Sequence, residues 1–294
     1  MLPRGFGFSA GGRWMRVWAR LAVRLVLPVM AAAAVLTPVA SAADPPVPEP
    51  PAPPRAAEPG DGPGGAPGAQ PRIVGGRSAS TGERPWVVAL TTDAGPPYCG
   101  GALVGPARVI TAAHCVAGRL PLTVKVVAGR SDMRTDEGVV SRVLGVWTHP
   151  EYQEPMQGDD VAVLTLDREL GYRTVALNTD PGAYRAGSPA TVLGWGYTNE
   201  GGPASPVLQE ADVPLWADAD CSATYPQFDP AEMVCAVEPD GSRDACYGDS
   251  GGPLVAGGRL IGVTSWGTGC GRAGLPGVYT RISSFSGELA AQLR

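Results

Sequence analysis

Three short strings in this 294-residue chain hold side chains suited to nucleophilic chemistry. The first is Thr111-Ala112-Ala113-His114-Cys115, just after the apolar pair Val109-Ile110. His114 is one of only two histidines. An imidazole titrates near neutrality, so it can take up and return a proton within one reaction cycle. The second string is Asp159-Asp160-Val161-Ala162-Val163-Leu164, in which a carboxylate leads directly into an apolar run. Asp160 abuts that run and is the acid expected to be drawn inside, where it needs a partner. An imidazole N–H would serve, and the carboxylate would then fix the histidine tautomer. The third string is Gly248-Asp249-Ser250-Gly251-Gly252-Pro253. Three glycines and a proline around one serine make a tight turn open to close approach, and its backbone N–H groups could bind a developing oxyanion. Ser250 is the candidate nucleophile, and it needs a base. Taken singly, each string has a plainer reading: a core or turn histidine, a solvated turn acid, a glycine turn. The six-residue composition around Ser250 is the most specific of the three.

The elements that must position these residues read as β-structure. Short apolar or alternating runs recur between turn signals at 87–90, 123–127, 139–146, 161–166, 190–193, 260–265 and 278–282, a spacing that suggests sandwiches or barrels. Regular βα alternation is absent, which disfavours a parallel α/β sheet. The one persuasive helix is C-terminal: Ser283 or Ser284 is expected to cap it, with Phe285, Leu289 and Leu293 on one stripe. No internal sequence repeat is evident, although two β subdomains fit the length. The six cysteines are Cys99, Cys115, Cys221, Cys235, Cys246 and Cys270. An even count behind an export signal suggests disulfides, but spacing alone cannot choose among the pairings. A metal site is disfavoured by two histidines and no C-x-x-C.

Residues 1–42 read as a secretory signal. Five arginines (Arg4, Arg13, Arg16, Arg20, Arg24) precede an apolar run over 25–37, which ends near the small-residue pattern Ala40-Ser41-Ala42. Met15 offers an alternative start. Residues 43–72 are dense in proline and glycine and nearly lack large apolar side chains, so nothing there offsets the entropy of ordering. The segment ends in Arg72 before Ile73-Val74-Gly75-Gly76, which favours a pro-segment over a spacer. The chain as a whole has 41 Gly, 31 Pro and a net charge of −5. That charge disfavours a nucleic-acid binder relying on a basic surface. Multi-span membrane proteins and long coiled coils are excluded.

The strings TAAHC, DDVAVL, GDSGGP, SWG and PGVYT, with IVGG at 73, resemble the trypsin branch of the chymotrypsin-like serine proteases over residues 73–294. The resemblance implies an all-β fold of two packed antiparallel β-barrels with a C-terminal α-helix and a cleft between the barrels. It implies His114 as general base, Asp160 as its orienter and Ser250 as nucleophile, with the N–H groups of Gly248 and Ser250 as oxyanion hole. It pairs Cys99 with Cys115, Cys221 with Cys235, and Cys246 with Cys270. His149, in His149-Pro150, falls in a structural stretch.

The same resemblance places Asp244 at the base of a specificity pocket lined by Ser265, Gly267 and Gly277, which implies cleavage after Arg and Lys. Ala245 stands where the family often has Ser. Loss of that hydroxyl should penalise the strongly hydrated ammonium more, so Arg is expected over Lys. Cleavage after Arg72 would free the Ile73 ammonium to insert beside Asp249 and shape the oxyanion loop. Arg72 suits the enzyme's own pocket, so autoactivation is consistent with this reading. Pro97 replaces a histidine that helps silence many animal precursors. Arg130 and Val140 fall near the calcium-binding glutamates of animal trypsins, so no metal is expected in that loop and no cofactor at all. Three disulfides and a short Pro-rich leader resemble the bacterial secreted trypsins. The expected partners are protein or peptide substrates and protein protease inhibitors. Neither nucleic acid nor, after signal removal, a membrane is expected, and the enzyme should be an extracellular monomer. The alternatives are an inactive protease-fold binding protein and a surface protein tethered by its Pro-rich segment. The first usually loses a triad or oxyanion residue, and here all are present.

Overall fold

The computed structural model describes residues 73–93 and 95–294. The signal, the Pro-rich segment and Arg72 lie outside the described residues. Fourteen strands follow in chain order: β1 (Arg77–Ser78), β2 (Val87–Thr91), β3 (Cys99–Gly105), β4 (Arg108–Thr111), β5 (Lys125–Ala128), β6 (Val139–Thr148), β7 (Ala162–Leu166), β8 (Ala176–Leu177), β9 (Pro189–Gly194), β10 (Gln209–Pro214), β11 (Met233–Ala236), β12 (Pro253–Ala256), β13 (Arg259–Trp266) and β14 (Gly277–Arg281). Three short helices accompany them: α1 (Ala113–Val116), α2 (Asp218–Thr224) and α3 (Ser286–Gln292).

Strands β2-β3-β4-β7-β6-β5 form a closed antiparallel barrel. Its core is built from β-branched and leucine side chains, including Val88, Leu90, Leu103, Ile110, Val126, Val143 and Leu164. Strand β3, Cys-Gly-Gly-Ala-Leu-Val-Gly, has too little apolar alternation to announce itself, yet it belongs here. Its glycines are required sterically: a Cβ on Gly100 would stand 2.8 Å from the Gly252 Cα. Gly100 also donates its N–H to the Ser250 carbonyl at 2.7 Å. Side-chain-free backbone thus brings the first barrel against the serine loop.

The second half is an eight-stranded sheet in the order β1-β10-β9-β12-β13-β14-β11, with β8 paired to β13. It nearly closes. A bridge between Leu215 and Ala236 ties β11 back to the end of β10, aided by a 3.0 Å hydrogen bond from Trp216 N–H to the Cys235 carbonyl. Taken as a ring, β9–β14 run in the same relative order as β2–β7, although no repeat is visible in the sequence. The core here holds Val192, Val213, Val234, Leu254, Ile261 and Tyr279, together with the fully buried Ile73 side chain.

Helix α3 carries the expected stripe. Phe285 and Leu289 are buried in the first barrel's core, and Leu293 packs against it. Its start differs from expectation: neither Ser283 nor Ser284 caps it. Both lie in a 3-10 turn, Ile282–Phe285, that runs directly into the helix, so Ser286 N–H bonds the Ser283 carbonyl and needs no side-chain acceptor. Ser284 instead donates its hydroxyl to the Ala231 carbonyl. Disulfides join Cys99–Cys115, Cys221–Cys235 and Cys246–Cys270.

Candidate active site

His114 sits in α1, two residues beyond the Ala112 that follows β4, and Asp160 lies two residues before β7, the strand paired with β4. Barrel pairing therefore joins two residues 46 positions apart. Asp160 is 1% exposed. Its Oδ1 accepts the His114 backbone N–H at 2.9 Å, and its Oδ2 lies 2.8 Å from His114 Nδ1. Ser265 Oγ donates to the same Oδ2 at 2.5 Å, and Thr280 Oγ1 donates to the Asp160 carbonyl at 2.7 Å. An ionised carboxylate only accepts, so Nδ1 carries hydrogen and Nε2 holds the lone pair available to a substrate-side proton. Ser265 thus both lines the pocket and anchors Asp160, and Thr280 is a further support. Sequence reasoning missed these two roles, because the residues lie on β13 and β14 more than 100 positions away.

Ser250 lies half-buried in the turn before β12. The turn is pinned on both sides. Gly100 N–H bonds its carbonyl, and Gly251 N–H donates to the Thr264 carbonyl at 2.8 Å. Gly251 has φ +75°, and a Cβ there would fall 2.2 Å from Thr111 Oγ1. Gly248 has φ +90°. Among the described residues, the N–H groups of Gly248 and Ser250 donate to no protein acceptor. Two unoccupied donors flanking a serine hydroxyl are suited to receive an oxyanion. No hydrogen bond joins Ser250 Oγ to His114 Nε2 among the described residues; Nε2 lies 3.7 Å from Cys115 Sγ. Catalytic hydrogen bonds of this kind commonly tighten only with substrate present. Cys99, His114 and Cys115 cluster within 4.8 Å, but the sulfurs are bonded to one another and offer no thiolate to a metal.

Beside Ser250 opens a cavity of about 220 Å³, lined by Ala245, Thr264, Ser265, Trp266, Gly267 and Gly277 among others. A Cβ on Gly267 would stand 3.6 Å from Gly277 Cα, so two bare backbones face each other across it. A Cβ on Gly277 would stand 3.1 Å from Asp244 Oδ1. Asp244 is 1% exposed; its Oδ2 accepts the Gly271 N–H at 3.0 Å, and its Oδ1 has no partner. Burial pushes its carboxyl up to about 7. A larger cleft of about 510 Å³ lies along β5 and Trp195 and includes none of the residues singled out for chemistry. The unpartnered Oδ1 of Asp244, next to Gly277 of the smaller cavity, is a buried polar atom that lacks a protein partner among the described residues.

Asp249 is fully buried. Its carboxylate accepts the N–H groups of Gly196 at 2.8 Å and Cys246 at 2.9 Å. Burial nonetheless pushes it up to about 7. Arg72, the other residue expected to take part in activation, lies outside the described residues. His149 contacts Asp159, next to Asp160.

The family profile described as Trypsin matches residues 73–287. The chain is 46% identical over 222 residues to "Trypsin" of Saccharopolyspora erythraea, covering 75% of this chain and 98% of that protein. It is 36% identical over 218 residues to "Trypsin" of Squalus acanthias, covering 73% and 93%. It is 39% identical over 265 residues to "Serine protease 56" of Mus musculus, covering 85% of this chain but 42% of that longer protein. With a closed β-barrel, a second sheet that nearly closes, three disulfides and a hydrogen-bonded His114–Asp160 pair, the chain belongs to the trypsin family and is a trypsin-like serine endopeptidase.

Proposed function

We propose that the enzyme is exported as a zymogen, is activated by cleavage after Arg72, and hydrolyses peptide bonds after Arg and Lys with Arg preferred. Ser250 attacks the scissile carbonyl as His114 Nε2 takes its proton. Asp160 holds the ring and stabilises the imidazolium, and the N–H groups of Gly248 and Ser250 receive the oxyanion. His114 then returns the proton to the leaving amine, and water releases the acyl group by the reverse sequence.

The observation that carries the specificity reading is the unpartnered Oδ1 of Asp244, buried behind the Gly267–Gly277 walls. A guanidinium would supply charge-assisted hydrogen bonds there, whereas an apolar side chain would leave the carboxylate unpaired. Export is supported by the basic, apolar and small-residue order of residues 1–42. Among the described residues no helix is long and apolar enough to cross a membrane. Activation is supported by two features: the Ile73 side chain is buried in the core of the second half, and Asp249 is buried with no cation beside it among the described residues. The Ile73 ammonium would pair with that carboxylate; such a pair sets a conformation more than it adds stability.

The test uses protein beginning at Ile73 with matched Arg, Lys and Tyr amide substrates. Turnover is expected in the order Arg, Lys, then Tyr far below, and abolished in Ser250→Ala. A Lys or Tyr preference refutes the pocket assignment, and no turnover at all refutes the function.

A further inference from the structure

The loop that delivers Asp160 carries an unusual backbone conformation. Asp159, with φ +55°, is the only non-glycine among the described residues in the left-handed region, and it follows Gly158 at φ +97°. Val161 N–H bonds the Asp159 carbonyl at 2.8 Å, closing a three-residue turn centred on Asp160. A left-handed non-glycine residue is held by its surroundings, and here these can be named. Glu232, in the turn before β11, accepts the Asp159 N–H through Oε2 at 3.1 Å. The same oxygen sits so close to Gly158 that a Cβ there would fall 2.1 Å from it. His149 Nδ1 also lies 3.0 Å from Asp159 Oδ1, near it but not aligned as a hydrogen bond. The His149 ring is wedged edge-on between Trp147 and Phe285, with centroids 5.9 and 5.3 Å away, and its backbone N–H bonds the Val161 carbonyl at 3.0 Å.

We propose that Glu232 and His149 are positioning residues for Asp160: they hold Asp159 in its left-handed conformation, and that conformation turns the Asp160 carboxylate back onto His114. The inference rests on the reading of His114, Asp160 and Ser250 as the catalytic set. The clamp is acid-rich. Asp159 and Glu232 face His149, Glu151 lies on the same loop as Asp159, and Asp229 lies beside Glu232. The neighbouring Arg281 of β14 is committed to Asp218 and the Met233 carbonyl. Burial raises both the Asp159 and Glu232 carboxyls, and His149 opposes this in each case.

The experiment compares Glu232→Ala, Glu232→Gln and Glu232→Ala/Asp159→Gly in activated enzyme. It reads kcat, KM and the proton NMR signal of the His114 Nδ1–H. Glu232→Ala should lower kcat about tenfold, the size expected from a strained left-handed residue that loses its support. KM should stay unchanged and the resonance should move. Glu232→Gln should restore both, because its amide oxygen still accepts the Asp159 N–H. Asp159→Gly should rescue the alanine variant, since glycine adopts φ +55° freely. If Glu232→Ala does not fold, Asp159→Val replaces it and must lower kcat where Asp159→Gly does not. Wild-type kcat and resonance in Glu232→Ala, or loss without rescue by Gln or Gly, overturns the inference. An inactive wild type whose resonance still moves in Glu232→Ala overturns the catalytic reading and leaves the positioning intact.

Discussion

Replacing Asp244 by Asn should weaken the enzyme's chemistry and strengthen its fold. The side chain is 1% exposed, one oxygen is unpartnered, and burial lifts its carboxyl from the ordinary 3.8 to about 7. A raised carboxyl in the folded state means that the native protein holds its proton over a range where the unfolded chain has released it. Below about pH 4 both states are protonated and the group is neutral to stability. Between there and about pH 7 the native state loses ground, and above pH 7 the deficit is complete. At roughly 1.4 kcal/mol per tenfold change in proton concentration, the rise to about 7 amounts to about 4 kcal/mol. Asparagine never ionises, so the variant escapes this deficit. Its melting temperature should match wild type at pH 4 and exceed it by roughly ten degrees at pH 8. Its turnover should move the other way. Removing one partner of a buried charge pair weakens an interaction by about 2–5 kcal/mol, so kcat/KM on an Arg amide should fall by roughly a hundredfold to a thousandfold. A Tyr amide should be affected little. Calorimetry at several pH values and steady-state kinetics on the two substrates make the check. A melting difference that does not open with pH, or Arg turnover within tenfold of wild type, refutes the reasoning.

Three further outcomes are expected. Asp249→Asn should stabilise the uncleaved precursor above pH 7, for the same reason of sign, yet lower activity of protein beginning at Ile73 by about a hundredfold or more; unchanged activity excludes the ammonium pairing. Ser265→Ala removes the 2.5 Å donor to Asp160 and should lower kcat about ten- to a hundredfold on any substrate, measured under saturation. Gly251→Ala meets Thr111 Oγ1 at 2.2 Å and the Gly100 carbonyl at 2.6 Å with φ +75°, so it should destabilise by about 2 kcal/mol or more in denaturant titration and abolish turnover.

The most legible parts of the sequence were those where local composition has one physical use. The glycine-bound Ser250 turn, the acid leading into 161–166, and the 285/289/293 stripe each name their element from a handful of neighbours. Strands β1, β3, β4, β8, β10, β11 and β12 were not legible. Strand β3 spends its positions on glycine so that the serine loop can approach, and that requirement lies in the third dimension. The hydroxyls of Ser265 and Thr280 on Asp160 were invisible for the same reason: they join the site by strand pairing across more than 100 residues. The helix cap failed because a preceding 3-10 turn supplied the acceptor that a serine side chain was expected to provide.

The C-terminal stripe bears on how such an enzyme is made. Phe285 and Leu289, with Leu260, Val263 and Ile282, complete the core of a barrel whose strands are contributed by residues 87–166. A nascent chain that has reached Arg281 already carries His114, Asp160 and Ser250, yet it lacks the residues that finish the first barrel's interior. Synthesis proceeds from the N-terminus, so the early barrel cannot reach its final packing until residues 282–289 emerge. Assembly of the cleft is thereby deferred until residues 282–289 are available, and a chain stopped before Phe285 leaves apolar surface uncovered on the half that bears the base.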